Sequence, residues 1–191
     1  MTSATAFELE FLRRRNLLRE DVRKPESKRN ETGNTWKHSL KAALEAEGYT
    51  AILEKAHATY KNNKRIKNVK SDLSVYKDGV LIAVIESKDY FTIDYIRRAC
   101  GELSRIIKSY RSQESIEVVG FCFQGRKAYN ETDELINDEL TYYDEDIEMI
   151  TMIDQNRKKI NGKLQTTVNT DFDVKYDEVN KIVEKLNAII Q

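Results

Sequence analysis

Residues 71–90 read SDLSVYKDGVLIAVIESKDY, and the reading of this stretch decides the fold. Two strand-like runs, LSVY at 73–76 and VLIAVI at 80–85, flank Asp78-Gly79. Asp-Gly between two such runs is a strong hairpin signal, because both residues tolerate the positive φ of a tight hairpin turn. The second run is apolar at every position, which marks a strand buried on both faces. It ends on charges, Glu86 and Lys88, and Asp72 stands at the far end of the hairpin. Alternation puts Glu86 and Lys88 on one face with Val80, Ile82 and Val84, and leaves Leu81, Ala83 and Ile85 on the other. A two-residue turn sets Lys77 opposite Val80 and Asp72 roughly opposite Ile85. Paired strands lie ~4.8 Å apart, so Asp72 comes within reach of Glu86.

Working outward, residues 92–112 carry Ile93, Ile96, Cys100, Leu103, Ile106 and Ile107 on one helical face. Residues 116–123 (IEVVGFCF) form another buried strand, closed by Gln124-Gly125. Strand, helix and strand make a crossover unit. Upstream, Phe7, Phe11, Leu12 and Leu18 make a helical stripe over 5–20. KPESKRNETGN (24–34), with the only proline, reads as a loop. Asn34 or Thr35 can cap a second helix that Gly48 ends. Residues 49–60 fit a short helix or a first strand, and KNNKRIKNVK (61–70) reads as a basic connection. Downstream, a helix is expected over part of 131–139, strands with an Asn161-Gly162 turn over 147–168, and a terminal helix over 176–190. The expected class is α/β, a mixed central sheet flanked by helices.

The 191 residues suit one domain. Its expected parts are N-terminal helices over 1–48, a core over 70–124, and a segment over 131–191 that covers the core or docks a partner. No apolar stretch approaches the ~20 residues that cross a bilayer, and the start lacks a secretory pattern. Cys100 and Cys122 have no ligand spacing and read as reduced core residues, so a cytoplasmic location is expected. The formal charge is zero but unevenly spread: +7 over 1–70, +1 over 71–130 and −8 over 131–191. A basic first third is compatible with a polyanion partner.

Two carboxylates as close as Asp72 and Glu86 repel unless a cation lies between them. An oxygen-only site suits Mg²⁺, completed by waters and a phosphate. Lys88 beside it could orient a water, help deprotonate it, or neutralise charge growing on a phosphorane-like transition state. A Lewis acid, an activated water and a cation are what metal-assisted phosphodiester hydrolysis requires.

Asp72, thirteen intervening residues, then Glu86-Ser87-Lys88 resembles the PD-(D/E)xK nuclease superfamily, which includes many restriction endonucleases. The resemblance is best over 70–124. It implies that Asp72 and Glu86 are metal ligands, that the Ser87 carbonyl adds an oxygen, and that Lys88 is the catalytic lysine. It also implies DNA as substrate and cleavage to a 5′-phosphate and a 3′-hydroxyl. Ser71 stands where the family name has proline. Many members carry a helical Glu before the sheet; here Lys37 and His38 occupy that turn, leaving Glu31 or Glu45 as substitutes. Three acid-x-lysine triplets occur, Glu26 to Lys28, Glu86 to Lys88 and Asp173 to Lys175, and only the second closes a buried strand.

Arg97 and Arg98, starting the helix after that strand, and Lys70 are the candidate DNA contacts. The clusters Arg13–Arg15 and Lys61–Lys70 could also grip phosphates. His38 and His57 lack zinc-ligand spacing, and no Gly-rich phosphate loop occurs. YYDEDIE (142–148) reads as a second metal site or as a solvated acidic loop. With no helix-turn-helix or zinc finger, the chain looks like the small catalytic subunit of a heterodimeric type IIS restriction endonuclease. Such a subunit cuts one strand while a larger partner recognises the site. The alternatives are a self-sufficient homodimeric restriction enzyme, a repair or junction nuclease, and a non-catalytic binding module in which the three charges form a surface ion-pair cluster.

Overall fold

The computed structural model describes residues 1–20, 25–62, 64–126, 133–143, 146–153, 159–160, 163–164 and 173–190. Two helices come first, α1 (Ser3–Glu20) and α2 (Pro25–Ala46), followed by β1 (Thr50–Leu53), β2 (Ala56–Lys61) and β3 (Lys64–Lys70). The hairpin strands are β4 (Leu73–Lys77) and β5 (Val80–Lys88); α3 (Ile93–Glu114) and β6 (Val119–Arg126) complete the crossover. Then come α4 (Asp133–Tyr143), β7 (Ile147–Ile153), the short β8 (Lys159–Ile160) and β9 (Lys163–Leu164), a 3-10 turn (Tyr176–Glu178) and α5 (Val179–Ile190).

The main sheet has the order β1-β4-β5-β6-β7. β1, β4 and β5 pair antiparallel, and β5, β6 and β7 pair parallel, so β5 is the central strand on which the two halves meet. This is the expected mixed α/β sheet. Asp78 and Gly79 turn at φ 50° and 83°, the pair of positive values that a tight hairpin needs. One apolar layer packs α1, α2 and α5 on the sheet through Phe7, Trp36, Leu40, Ile182 and Leu186. The other packs α3 and α4 through Ile96, Leu103, Ile106 and Ile136.

Three expectations are corrected. The stretch 24–34 is no loop: α2 begins at Pro25, and proline suits a first helical position because its missing N–H would have no partner there. The basic run 61–70 is no simple connection: most of it is β3, which pairs with β2 in a separate two-stranded ribbon. The β6 strand passes Gln124-Gly125 and runs to Arg126. A Cβ on Gly125 would lie 2.2 Å from the Trp36 ring, so glycine here lets the indole of α2 lie on the strand. The expected Asn161-Gly162 turn lies outside the described residues. Cys100 and Cys122 are free and buried with sulfurs 3.9 Å apart, and among the described residues no helix is long and apolar enough to cross a membrane.

Candidate active site

The hairpin register decides where the charges go. Lys77 pairs with Val80 as expected, but a β-bulge follows: Tyr76 pairs with Leu81 and Val75 with Ala83, leaving Ile82 as the extra residue. A bulge breaks alternation. Leu81 and Val84 therefore face α3, while Ile82, Ala83 and Ile85 face α2, so Ile82 does not share the face of Glu86. The bulge also advances the register by one. Leu73, not Asp72, pairs with Ile85, and continuing the ladder by one step sets Asp72 opposite Glu86. Glu86, two residues on from Val84, projects on the α3 side, and Asp72, just before β4, lies beside it with its Oδ1 3.7 Å from Lys37 of α2.

Asp72 Oδ2 accepts hydrogen bonds from the Ser87 N–H at 2.9 Å and from Lys88 Nζ at 2.9 Å. Lys88 Nζ also lies 3.5 Å from Glu86 Oε2. The three charges expected from the sequence thus meet at one ammonium. A strand residue turns its N–H and C=O to the same side, so the Ser87 carbonyl faces the same side as Asp72, where β4 has already ended. Lys70, the last residue of β3, and Arg98 border the same cleft, which has a volume of about 250 Å³. Arg97 lies elsewhere, paired with Glu139 of α4 at 3.0 Å. Arg98 is paired with Glu102 at 3.4 Å.

Burial is the main cause of the unusual acidity here. It pushes the Glu86 carboxyl up to about 8, aided by the nearby Asp72 charge. The same burial opposes ionisation of Asp72, but the Lys88 ammonium and the Ser87 N–H outweigh it, and Asp72 titrates below the ordinary carboxylate range. Lys88 loses some basicity to burial and regains more from Asp72 and Glu86, so its pKa is raised. One ionised and one protonated carboxyl is how two close acids settle when a single ammonium is shared between them. The donor set, two carboxylates and a carbonyl, suits a hard divalent ion such as Mg²⁺, whose charge would let Glu86 ionise as well.

Two residues that touch the site were not among the candidates. Glu54, in the turn between β1 and β2 at φ 55°, borders it. Its carboxylate pairs with Lys37 and, at 3.0 Å, with Lys70. Only its place between two short strands would have marked it, and those strands were not resolved from sequence. Lys37 of α2, buried, also lies 3.7 Å from Asp72 Oδ1. A lysine thus stands in the helical turn where the resemblance led to the expectation of an acid. Glu45 instead pairs with Lys41 along α2, and the Glu31 side chain lies outside what the structure describes.

Ser71, at the proline position, is buried in a network: its Oγ lies 2.8 Å from Ser74 Oγ, which lies 2.7 Å from His57 Nε2. His57 Nδ1 contacts the Tyr110 hydroxyl at 3.2 Å. Burial lowers the His57 pKa to about 4, so the imidazole is neutral and the network fixes the backbone leading into Asp72. On the other side, Trp36 Nε1 donates to Asp89 Oδ1 at 3.1 Å and Arg126 N to Asp89 O at 2.9 Å, which pins the chain just past Lys88. Of the acidic run 142–148, Asp144 and Glu145 lie outside the described residues, Asp146 pairs with Arg111 and Glu148 with Lys185. Among the described residues no group of three or more His, Cys, Asp or Glu side chains is placed to hold a metal ion.

No protein-family model matches the chain, and no curated protein does. Among solved structures, P. aeruginosa NucC in its cAAA-bound form is similar, with a TM-score of 0.57 at 12% identity. The match covers 98% of this chain and 90% of that one. At that identity the likeness speaks to fold alone, and the fold is a restriction-endonuclease-like core with a mixed sheet flanked by helices.

Proposed function

We propose that the chain is a Mg²⁺-dependent DNA endonuclease that hydrolyses phosphodiester bonds with Asp72, Glu86 and Lys88. The observation that carries this reading is the meeting of two buried or half-buried acids at one lysine, at the end of the central strand. Its support in the fold is the likeness to NucC, a PD-(D/E)xK-type nuclease. A surface ion-pair cluster fits less well, because Glu86 is only 7% exposed and burial holds it protonated to about pH 8. An ion pair built for stability does not keep one of its acids neutral.

In this reading Asp72, Glu86 and the Ser87 carbonyl hold Mg²⁺, which when bound supplies Lewis-acid polarisation of the scissile phosphate. The chain does the rest. The Ser87 N–H and Lys88 fix the Asp72 carboxylate before substrate arrives, so little reorganisation remains for the reaction itself. Lys88, between both acids and the open cleft, orients the attacking water and neutralises charge as it develops on the phosphate. Lys37 brings a second ammonium to the far oxygen of Asp72.

One such site cuts one strand, so a double-strand break takes a second site. The heterodimeric type IIS design draws site recognition from a larger partner, and the self-sufficient design draws it from a second copy of this chain. The test is plasmid nicking followed on a gel, in Mg²⁺ or EDTA, with and without candidate large subunits. Nicking in Mg²⁺ that vanishes in EDTA and in Lys88→Ala is expected; its dependence on the partner separates the two designs. Nicking by Lys88→Ala equal to that of the wild type would overturn the assignment.

A further inference from the structure

The β2–β3 ribbon stands apart from the main sheet, and its charge is unlike that of the rest of the molecule. Between Ala56 and Lys70 the sequence has five lysines and arginines and no acid. Many basic side chains elsewhere have carboxylate partners: Arg13 and Arg14 with Glu10, Arg97 with Glu139, Arg98 with Glu102, Lys181 with Glu178. In the ribbon, among the described residues, only Lys70 meets a carboxylate, Glu54 at its root. Lys61, Lys64, Arg65 and Lys67 are exposed and meet none. Four uncompensated cations on one hairpin repel one another. They lower the free energy of the complex when a polyanion replaces their counterions.

The ribbon is also held as a fixed arm. His57, Thr59 and Val69 are buried, His57 against Tyr110 of α3, and the Tyr60 N–H donates to Ser109 Oγ at 2.9 Å. Cross-strand partners share a face, so the pairs Ala56–Lys70, Ala58–Asn68 and Tyr60–Arg65 point the other way, outward. The alanines keep that face shallow, and Arg65 is aligned by its hydrogen bond to Asn68 Oδ1 at 2.7 Å. A bulge at Ile66, where Thr59 pairs with Lys67 but Tyr60 with Arg65, twists the arm. At its base the chain passes directly from Lys70 through Ser71 to Asp72, and Lys67, Asn68 and Lys70 wall the catalytic cleft.

We infer that the β2–β3 ribbon is the arm that grips duplex DNA and feeds it to the Asp72 cleft, with Lys64 and Lys67 on phosphates and Arg65 and Asn68 facing base edges. The substrate class rests on the nuclease reading above; the arm itself rests on the ribbon's shape and charge. A two-stranded ribbon matches the major groove of B-form DNA, about 12 Å wide, whereas the A-form RNA major groove is too narrow for it. Arginine and asparagine are the side chains that pair two-pronged with guanine and adenine edges.

The experiment is fluorescence anisotropy with a labelled 20-base-pair DNA duplex in EDTA, repeated from low to moderate salt. The variant is Lys64→Gln/Arg65→Gln/Lys67→Gln. A control of equal charge loss, Lys175→Gln/Lys181→Gln/Lys185→Gln, lies in the C-terminal part of the chain, away from the ribbon. The ribbon variant is expected to bind at least tenfold more weakly and to lose about 2 from the salt slope, on the order of one for each of the Lys64 and Lys67 phosphate contacts; the control stays near wild type. Equal loss in both variants, or none in the ribbon variant, would overturn the inference. So would preference for an RNA duplex of the same length. Acetylation of wild-type protein with and without DNA needs no variant: protection of Lys64 and Lys67 is expected, and unprotected ribbon lysines overturn the inference. Cutting by Lys88→Ala, scored separately, bears on the nuclease reading and leaves the binding result intact.

Discussion

The two hairpins, β2–β3 and β4–β5, are built alike and used differently. Both are antiparallel, and in both one residue, Ile66 or Ile82, bulges out of the ladder. The β4–β5 hairpin lies inside the sheet, apolar on both faces, and carries its charges only where it ends. The β2–β3 hairpin rests on α3 by a few residues and carries charge along its length. Placing the same motif at the centre or at the margin decides its task. At the centre, burial perturbs a few ionisable groups and fixes them; at the margin, many charges stand exposed to solvent.

The largest effects should separate the hairpins by kinetic step. Lys88→Ala is expected to lower kcat by about 10² to 10⁴ while the chain stays folded. Lys67→Ala should leave kcat near wild type and raise KM in a salt-dependent way, because it touches binding and not the reacting centre. Steady-state nicking rates over a range of salt would check both. A kcat loss in Lys67→Ala like that in Lys88→Ala would erase the distinction.

Stability should divide the same way. Ile85 is fully buried and Ile66 is 57% exposed. Ile85→Ala is expected to cost about 2–5 kcal/mol by urea unfolding, and Ile66→Ala within about 0.5 kcal/mol. Similar costs would mean that the ribbon is as much a part of the core as the central strand.

The smallest effect is on pH. Glu86 holds its proton to about pH 8 in the folded, metal-free protein against an ordinary value of 4.5. A raised acid pKa means that the folded state binds more protons than the unfolded state between those limits, so this group's contribution to stability falls as pH rises from 4.5 towards 8. Glu86→Gln, neutral at every pH, should flatten that decline in EDTA. Thermal melts of both proteins across this range would check it, and parallel pH curves would count against it.

How much of this was legible in the sequence follows the same division. Asp-Gly between two apolar runs announced β4–β5, and an apolar run ending on Glu86-Ser87-Lys88 announced a site, because burial and charge at one place are unusual together. The bulge at Ile82 was not legible: an all-apolar strand gives no alternation against which to see a skipped residue, so Asp72 was set opposite Ile85 instead of Glu86. The ribbon was hidden for the opposite reason. Its outward residues are polar and its inward ones few, so KNNKRIKNVK has no strand period to read. Lys37 reaches Asp72 through tertiary packing of α2, and Glu54 reaches the cleft through a left-handed turn; neither leaves a pattern in the local sequence. Pro25 read as a break, although proline begins a helix as readily as it ends one.

The central claim is that Asp72 and Glu86 together hold a divalent ion at the end of β5. Calorimetric titration of the metal-free chain with Mn²⁺ or Mg²⁺ at pH 6.5, 7.5 and 8.5 tests it directly. The account predicts binding that tightens with rising pH up to about 8, with proton release below that value as the ion displaces the Glu86 proton. Binding should be lost in Asp72→Asn, and in Glu86→Gln it should be weakened and free of pH dependence. Metal binding that is absent from the wild type, or unchanged in both variants, would contradict the account.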